Sequence, residues 1–166
     1  MRILILQKFP LHGGGSGTYT RKLAQNLHKA GHKEAIATPD KRKEKGCKTY
    51  TIKPAFKAVF ISHPEAKRAK SYSQMSGFEF SKQYISYLKD ISAAVEDFEP
   101  DGGHVNHASF LTWIASFIKE MYGIGYVVTV HGTGIFNSTL DPRYRYLTKM
   151  ALNHADFIVS VSHHTK

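Results

Sequence analysis

The chain opens on RILIL at residues 2–6, a nearly unbroken apolar run bounded by polar and turn-forming residues, as expected for a strand buried on both faces. Between residues 18 and 30 the period lengthens. Tyr19, Leu23, Leu27 and Ala30 fall at offsets of 0, 4, 8 and 11, one face of a helix, and Gly31 is placed to end it. EAIAT at 34–38 and KTYTI at 48–52 predict two further strands, separated by the basic turn KRKEKG. Residues 54–77 carry no sustained period, and so long an unpatterned stretch in a compact domain is usually functional or mobile. Residues 78–98 give the clearest helix, with Phe80, Tyr84, Tyr87, Leu88, Ile91, Val95 and Phe98 on one stripe and Pro100 as its stop.

The second half repeats one plan. A short strand ends at residues 104–106, and Ser109 can cap a helix with Phe110, Trp113, Ile114, Phe117, Ile118 and Met121 on its apolar face, closed by Gly123. YVVTV at 126–130 reads as a buried strand, followed by the loop HGTGIFNSTL. Asp141-Pro142 then caps a helix running to about residue 153, and FIVSV at 157–161 is the last strand. Strands alternating with helices at this spacing predict a single α/β domain over residues 1–166, a doubly wound, mostly parallel, Rossmann-like sheet with helices on both faces. Ligands of such sheets bind at the carboxyl ends of the strands.

Composition agrees with one globular domain: 166 residues, 42% of them hydrophobic and 22% charged. No apolar run approaches the roughly 18 residues of a membrane span, and MRILILQKF turns polar too soon for a secretory signal. A cytoplasmic location is expected, and the single cysteine, Cys47, agrees with a reducing compartment. Charge is uneven. Residues 41–70 hold ten Lys and Arg against Glu44 and Glu65, which supplies +8 of the net +10. Such a focus either favours an acidic partner or is a solvated loop face. No zinc spacing, RRM motif or heptad accompanies it, so nucleic acid is not expected as a partner. PAFKAVFI at 54–61 mixes apolar residues with lysines, a combination suited to peripheral contact with an anionic membrane face or to ordinary burial.

Two groups of residues suggest chemistry. GGGSG at 13–17 leaves the first strand and enters a helix, where unpaired N–H groups and the helix dipole suit an anion, commonly phosphate. It is neither of the usual phosphate fingerprints. Thr18 and Thr20 stand where a dinucleotide G-x-G-x-x-G needs glycine, and no Gly-Lys-Ser/Thr follows. Histidine is the second group: His12, His107 and His131 fall at or just past predicted strand ends and could line one crevice. HVNH lacks metal-ligand spacing and has no Cys or carboxylate pair, so no metal is expected. No G-x-S-x-G elbow or paired cysteine supports a nucleophile.

The order of these pieces resembles the amino-terminal half of the group 1 (family 4) retaining glycosyltransferases, which have the two-domain GT-B fold. ILILQKFPLHGGGSGTYTRKLAQNLHKAGH, EPDGGHVNHASF, YGIGYVVTVHGTGIF and NHADFIVSVS carry the likeness, in the family's order and spacing, outside residues 40–78. The resemblance implies a nucleotide-sugar donor whose diphosphate approaches Gly13, Gly14, Gly15 and Gly17. It implies that His131 contacts the transferred hexose near the reacting carbon. Acceptor binding falls to His12, Tyr19, Asn106 and His107, and the donor chemistry needs no metal or other cofactor. A lipid-linked or phosphorylated acceptor would suit the basic stretch and a place at the inner membrane face. The alternative is a non-catalytic module that uses the same sheet to dock an anionic surface or ligand.

Several positions depart from the family. Gly102 and Gly103 stand where apolar strand residues are usual, which predicts a weaker strand. Glu34 replaces an apolar residue, Asn106 a frequent histidine and Gly134 a frequent aspartate. The family's two glutamates, separated by seven residues in the carboxy-terminal donor domain, have no counterpart, since no two of the chain's glutamates are eight apart. The expectation is that the donor domain is absent from this chain and that the 166 residues alone transfer almost nothing.

Overall fold

The computed structural model describes residues 1–12, 14–59, 69–132 and 141–163. Gly13, Phe60, Ile61, Lys67, Arg68 and Gly134 lie outside them, with most of the HGTGIFNSTL loop. In chain order the elements are β1 (Arg2–Gln7), α1 (Gly15–Lys29), β2 (Lys33–Thr38), β3 (Lys48–Thr51), β4 (Ala58–Val59), β5 (Lys70–Ser71), a 3₁₀ turn (Tyr72–Gln74), α2 (Gly77–Phe98), β6 (Gly102–Asn106), α3 (Phe110–Tyr122), β7 (Tyr126–Val130), α4 (Pro142–His154) and β8 (Phe157–Ser160).

Six strands form one sheet in the order β3-β2-β1-β6-β7-β8, and every pairing is parallel. The order reverses direction between β1 and β6, which opens a crevice at their carboxyl ends. Parity along β1 explains how both faces are covered. Ile5 and Ile36 meet Ala24 and Leu11 on the α1 side, with Ile3, Leu23 and Leu27 packed against them. Leu4, Leu6, Ala35 and Ala37 point the other way, into a core with Tyr87, Ile91 and Val95 of α2 and Phe110, Ile114 and Ile118 of α3. A helix of one period and a strand of another thus share one apolar surface.

Several expectations change. α1 begins at Gly15 rather than Thr18, because Gly14 in extended conformation is its N-cap and Thr18 N–H already bonds Gly14 carbonyl at 3.1 Å. Much of the glycine loop is therefore the first turn of the helix. The strand with Gly102 and Gly103, expected to be weaker, is present and pairs with β1 from Ile3 to Gln7, a pairing that does not bear on its strength. A β-carbon on Gly103 would come 3.3 Å from Cβ of Tyr126, so glycine here lets β7 pack closely. Phe117 and Met121, expected on the buried face of α3, are exposed: the buried stripe is Phe110, Leu111, Ile114, Ala115 and Ile118, and Met121 falls in the last turn. β8, the first four residues of FIVSV, is an edge strand opposite β3, and Phe157, Ile158 and Val159 are exposed. The unpatterned 54–77 segment forms the short β4–β5 ladder and the 3₁₀ turn, and it delivers Tyr72 and Met75 to the core.

Candidate active site

At the crevice the sheet face under α1 changes from apolar to polar. Gln7 ends β1, pairs in register with Asn106 of β6, and Asn106 pairs with Thr129 of β7. All three side chains are buried. Asn106 Nδ2 reaches Gln7 Oε1 at 2.7 Å, the Ser16 carbonyl oxygen at 3.2 Å and Thr20 Oγ1, while Thr20 Oγ1 donates to Gln7 Oε1 at 3.1 Å. The network fastens the first turns of α1 to the ends of two strands. These bonds among buried groups favour one geometry, because a slip would leave the Asn106 amide hydrogens, the Thr20 hydroxyl or Gln7 Oε1 unpaired in low dielectric.

His131 follows β7 and lies with its Nε2 2.6 Å from Asn106 Oδ1. Its ring stacks at 30° on His107, centroids 4.2 Å apart, and Tyr19 of α1 meets it edge-on at 5.5 Å. The Tyr19 hydroxyl lies 3.1 Å from Thr129 Oγ1, which in turn is 2.9 Å from His104 Nε2. His107 is 5% exposed, and among the described residues neither ring nitrogen has a hydrogen-bond partner. Its backbone φ of 89° is in the left-handed region, at a cost of about 1–3 kcal/mol, where the chain turns from β6 to reach the cap of α3. Burial, and then the neighbouring His131, push His104 down to about 4. Burial, then His131 and Lys8, push His107 down to about 3. Burial also lowers His131. The site therefore presents neutral imidazoles at neutral pH.

The glycine turn divides by position. No atom of the described residues lies within 4 Å of where a β-carbon on Gly14 or Gly15 would stand, chain neighbours and the helix's own backbone aside, whereas Gly17 is packed against the carbonyls of Pro10 and Leu11. Among the α-helices of the described residues α1 alone has no side-chain N-cap, and it has no acidic residue in its first turn. Ser76, Ser109 and Asp141 cap α2, α3 and α4. Its leading N–H groups thus meet no capping side chain.

Of the residues singled out from the sequence, Tyr19, Asn106, His107 and His131 stand together, with Gly14 and Gly15 at the start of the same helix. Gly13 lies outside the described residues. Asn106 is fully buried with its whole amide engaged, so it supports this cluster and leaves nothing to touch an acceptor. His12 turns the other way, its Nδ1 3.5 Å from Asp40 Oδ2. The sequence reading missed Asp40. Its Oδ2 accepts the Leu11 N–H at 2.9 Å and its Oδ1 the Arg42 N–H at 3.0 Å, which ties the basic turn to the glycine turn. Burial alone would raise the Asp40 pKa, but the hydrogen bonds from Arg42, His12 and Leu11 and the Arg42 charge bring it below the ordinary value. Lys8 was missed as well. It is buried with Nζ 3.5 Å from the Tyr72 ring centroid and 4.6 Å from that of Phe110, and burial lowers its pKa well below the usual amine value. A lysine directly after a buried central strand was the available signal. Among the described residues no three His, Cys, Asp or Glu are grouped to hold a metal ion, and no helix is long and apolar enough to cross a membrane.

Residues 13–166 match the sequence model of Glycosyltransferase Family 4. No curated protein sequence matches the chain. Among solved structures, sucrose-phosphate synthase from Thermosynechococcus elongatus superposes with a TM-score of 0.68 at 15% identity, over 95% of this chain and 41% of that one. The glycosyltransferase SnogD from Streptomyces nogalater gives 0.57 at 17%, over 98% and 43%. UDP-GlcNAc 2-epimerase from Neisseria meningitidis, bound to UDP-GlcNAc, gives 0.52 at 13%, over 91% and 39%. At these identities the likeness is one of fold, the Rossmann-like layer that forms one half of GT-B proteins. The chain spans about two-fifths of the length of each.

Proposed function

We propose that this chain, which belongs to glycosyltransferase family 4, is the acceptor-binding half of a retaining hexosyltransferase that takes its sugar from a nucleotide-sugar donor. The observation that carries the reading is the start of α1. Its first turn has no capping side chain, its two leading glycines face open space, and Asn106 ties it to His131. A diphosphate can approach such a backbone closely, and the helix dipole favours the negative charge there. His131, held neutral by burial, can hydrogen-bond a sugar hydroxyl without placing a positive charge beside a developing oxocarbenium ion. Tyr19 and His107, which pack against His131, are the acceptor contacts of this reading, and His12 lies toward Asp40 instead. The rest of the donor site belongs to a second domain, outside these residues.

An acidic acceptor, phosphorylated or lipid-linked, is supported by the basic turn. Asp40 holds that turn beside the glycine turn, and Lys41, Lys43 and Lys45 are exposed on it. Docking at the inner membrane face uses the same charges.

The test is donor turnover, with UDP- and GDP-sugars offered to the 166-residue chain and to the product of its complete gene. Transfer by the latter and almost none by the former is the expected result. Robust transfer by the 166 residues, or hydrolysis with no acceptor used by either, overturns the reading.

A further inference from the structure

The amide of Asn106 can face only one way. Its Nδ2 lies 3.2 Å from the carbonyl oxygen of Ser16 and 2.7 Å from Gln7 Oε1, and a backbone carbonyl can only accept. The amide oxygen is therefore the atom 2.6 Å from His131 Nε2. An amide oxygen also can only accept, so the hydrogen between them belongs to the ring. In a neutral imidazole the other nitrogen then has no hydrogen.

We infer that Asn106 is a positioning residue, which fixes His131 as the Nε2–H tautomer, registers it to the first turn of α1, and leaves Nδ1 as the lone pair that meets a ligand hydroxyl. The identity of that ligand rests on the glycosyl-transfer reading, whereas the tautomer does not. Asn106 suits this task because none of it is exposed and each end of the amide is already bonded within the chain. The groups facing His131 agree: Tyr19 meets it edge-on, His107 stacks on it and His104 lies near enough to feel its charge, so the described neighbours offer no carboxylate that would favour imidazolium. At the proposed site His131 then accepts a hydrogen through Nδ1 from a sugar hydroxyl. The second nitrogen orients the ring, as the outward nitrogen does in many histidine sites.

Imidazole ¹⁵N–¹H correlation spectra of the folded chain test this, with the His131 signals assigned by their loss in His131→Gln. The native protein should show the Nε2–H tautomer above its titration. Asn106→Asp should raise the His131 midpoint by at least one pH unit, a tenfold change in acidity, because a carboxylate stabilises the imidazolium where an amide does not. Gln7 can turn its amide to serve the new carboxylate, since its Nε2 is buried and has no partner among the described residues. A native Nδ1–H tautomer overturns the inference. So does an unmoved midpoint in Asn106→Asp that circular dichroism shows to be folded. Should that variant not fold, the native tautomer alone decides. Absence of glycosyl transfer in every assay would remove the functional reading and leave these spectra as they are.

Discussion

The carbonyl oxygen of Leu11 occupies the space that a β-carbon on Gly17 would need, with the Pro10 oxygen 2.6 Å from the same point. Both are backbone atoms, so neither can rotate away, and the turn from β1 into α1 would have to move. Gly17→Ala should cost about 1–3 kcal/mol in urea denaturation. Gly14→Ala and Gly15→Ala add a methyl to open space and should change stability by less than about 1 kcal/mol. If the diphosphate approaches this backbone, those two variants in the active protein raise KM for the donor while Gly17→Ala lowers the yield of folded protein. Equal stability losses at all three positions would contradict this division.

Asp40 fastens the glycine turn from the far side, through Leu11, His12 and Arg42. Asp40→Asn should lose about 1–3 kcal/mol, as charge-assisted hydrogen bonds to a buried carboxylate do. Because the folded pKa lies below the unfolded value of about 3.9, the stabilisation is present above that value and lost as pH falls through the lower, folded pKa. Denaturation curves of native and variant should therefore stay a constant interval apart above about pH 5 and converge in stronger acid.

His104 and His107 bind protons less readily folded than unfolded, with folded values of about 4 and about 3. Below an unfolded value of about 6.5 the unfolded chain takes up protons that the native chain refuses, so stability falls on acidification, with a limiting slope of about 1.4 kcal/mol per pH unit for each group. His107→Asn, which tolerates the left-handed backbone there, should remove one such contribution and flatten the thermal-stability profile between pH 6 and 4. A profile identical to the native one would show that His107 binds protons equally in the folded and unfolded chains, which contradicts the lowered value.

For the basic turn, Lys41→Glu, Lys43→Glu and Lys45→Glu together should leave stability within about 0.5 kcal/mol, since these side chains are exposed. Binding to vesicles rich in anionic lipid should fall by at least about a hundredfold, at about 1 kcal/mol for each charge near the surface. Vesicle binding that ignores both the reversal and added salt would remove the membrane contact from the reading.

Much of the fold was legible because β1 and α2 each carry a single dominant period. RILIL is apolar from Ile3 to Leu6 and needs two covered faces, and the α2 stripe from Phe80 to Phe98 can face only a core. The start of α1 was not legible. Glycine is a poor helix former, and Gly15 to Gly17 are helical because the chain before them packs back on Gly17. The burial of Lys8 was not legible either, since what covers it includes Tyr72, from a segment with no pattern of its own.

The sequence by itself determined the order of the main-sheet strands and the helices between them, the parallel sheet and the crevice at its carboxyl ends, since each follows from periodicity and spacing along a continuous run. β4, β5 and the 3₁₀ turn do not follow in this way. Only the tertiary structure decided what the crevice residues do. Gln7, Ser16, Thr20, Asn106 and His131 belong to separate stretches of the chain, and hydrogen-bond direction among them exists only once the sheet has set them side by side. Asn106, a surface-type residue in the sequence, thereby becomes a fully buried bracket between the glycine turn and the histidine.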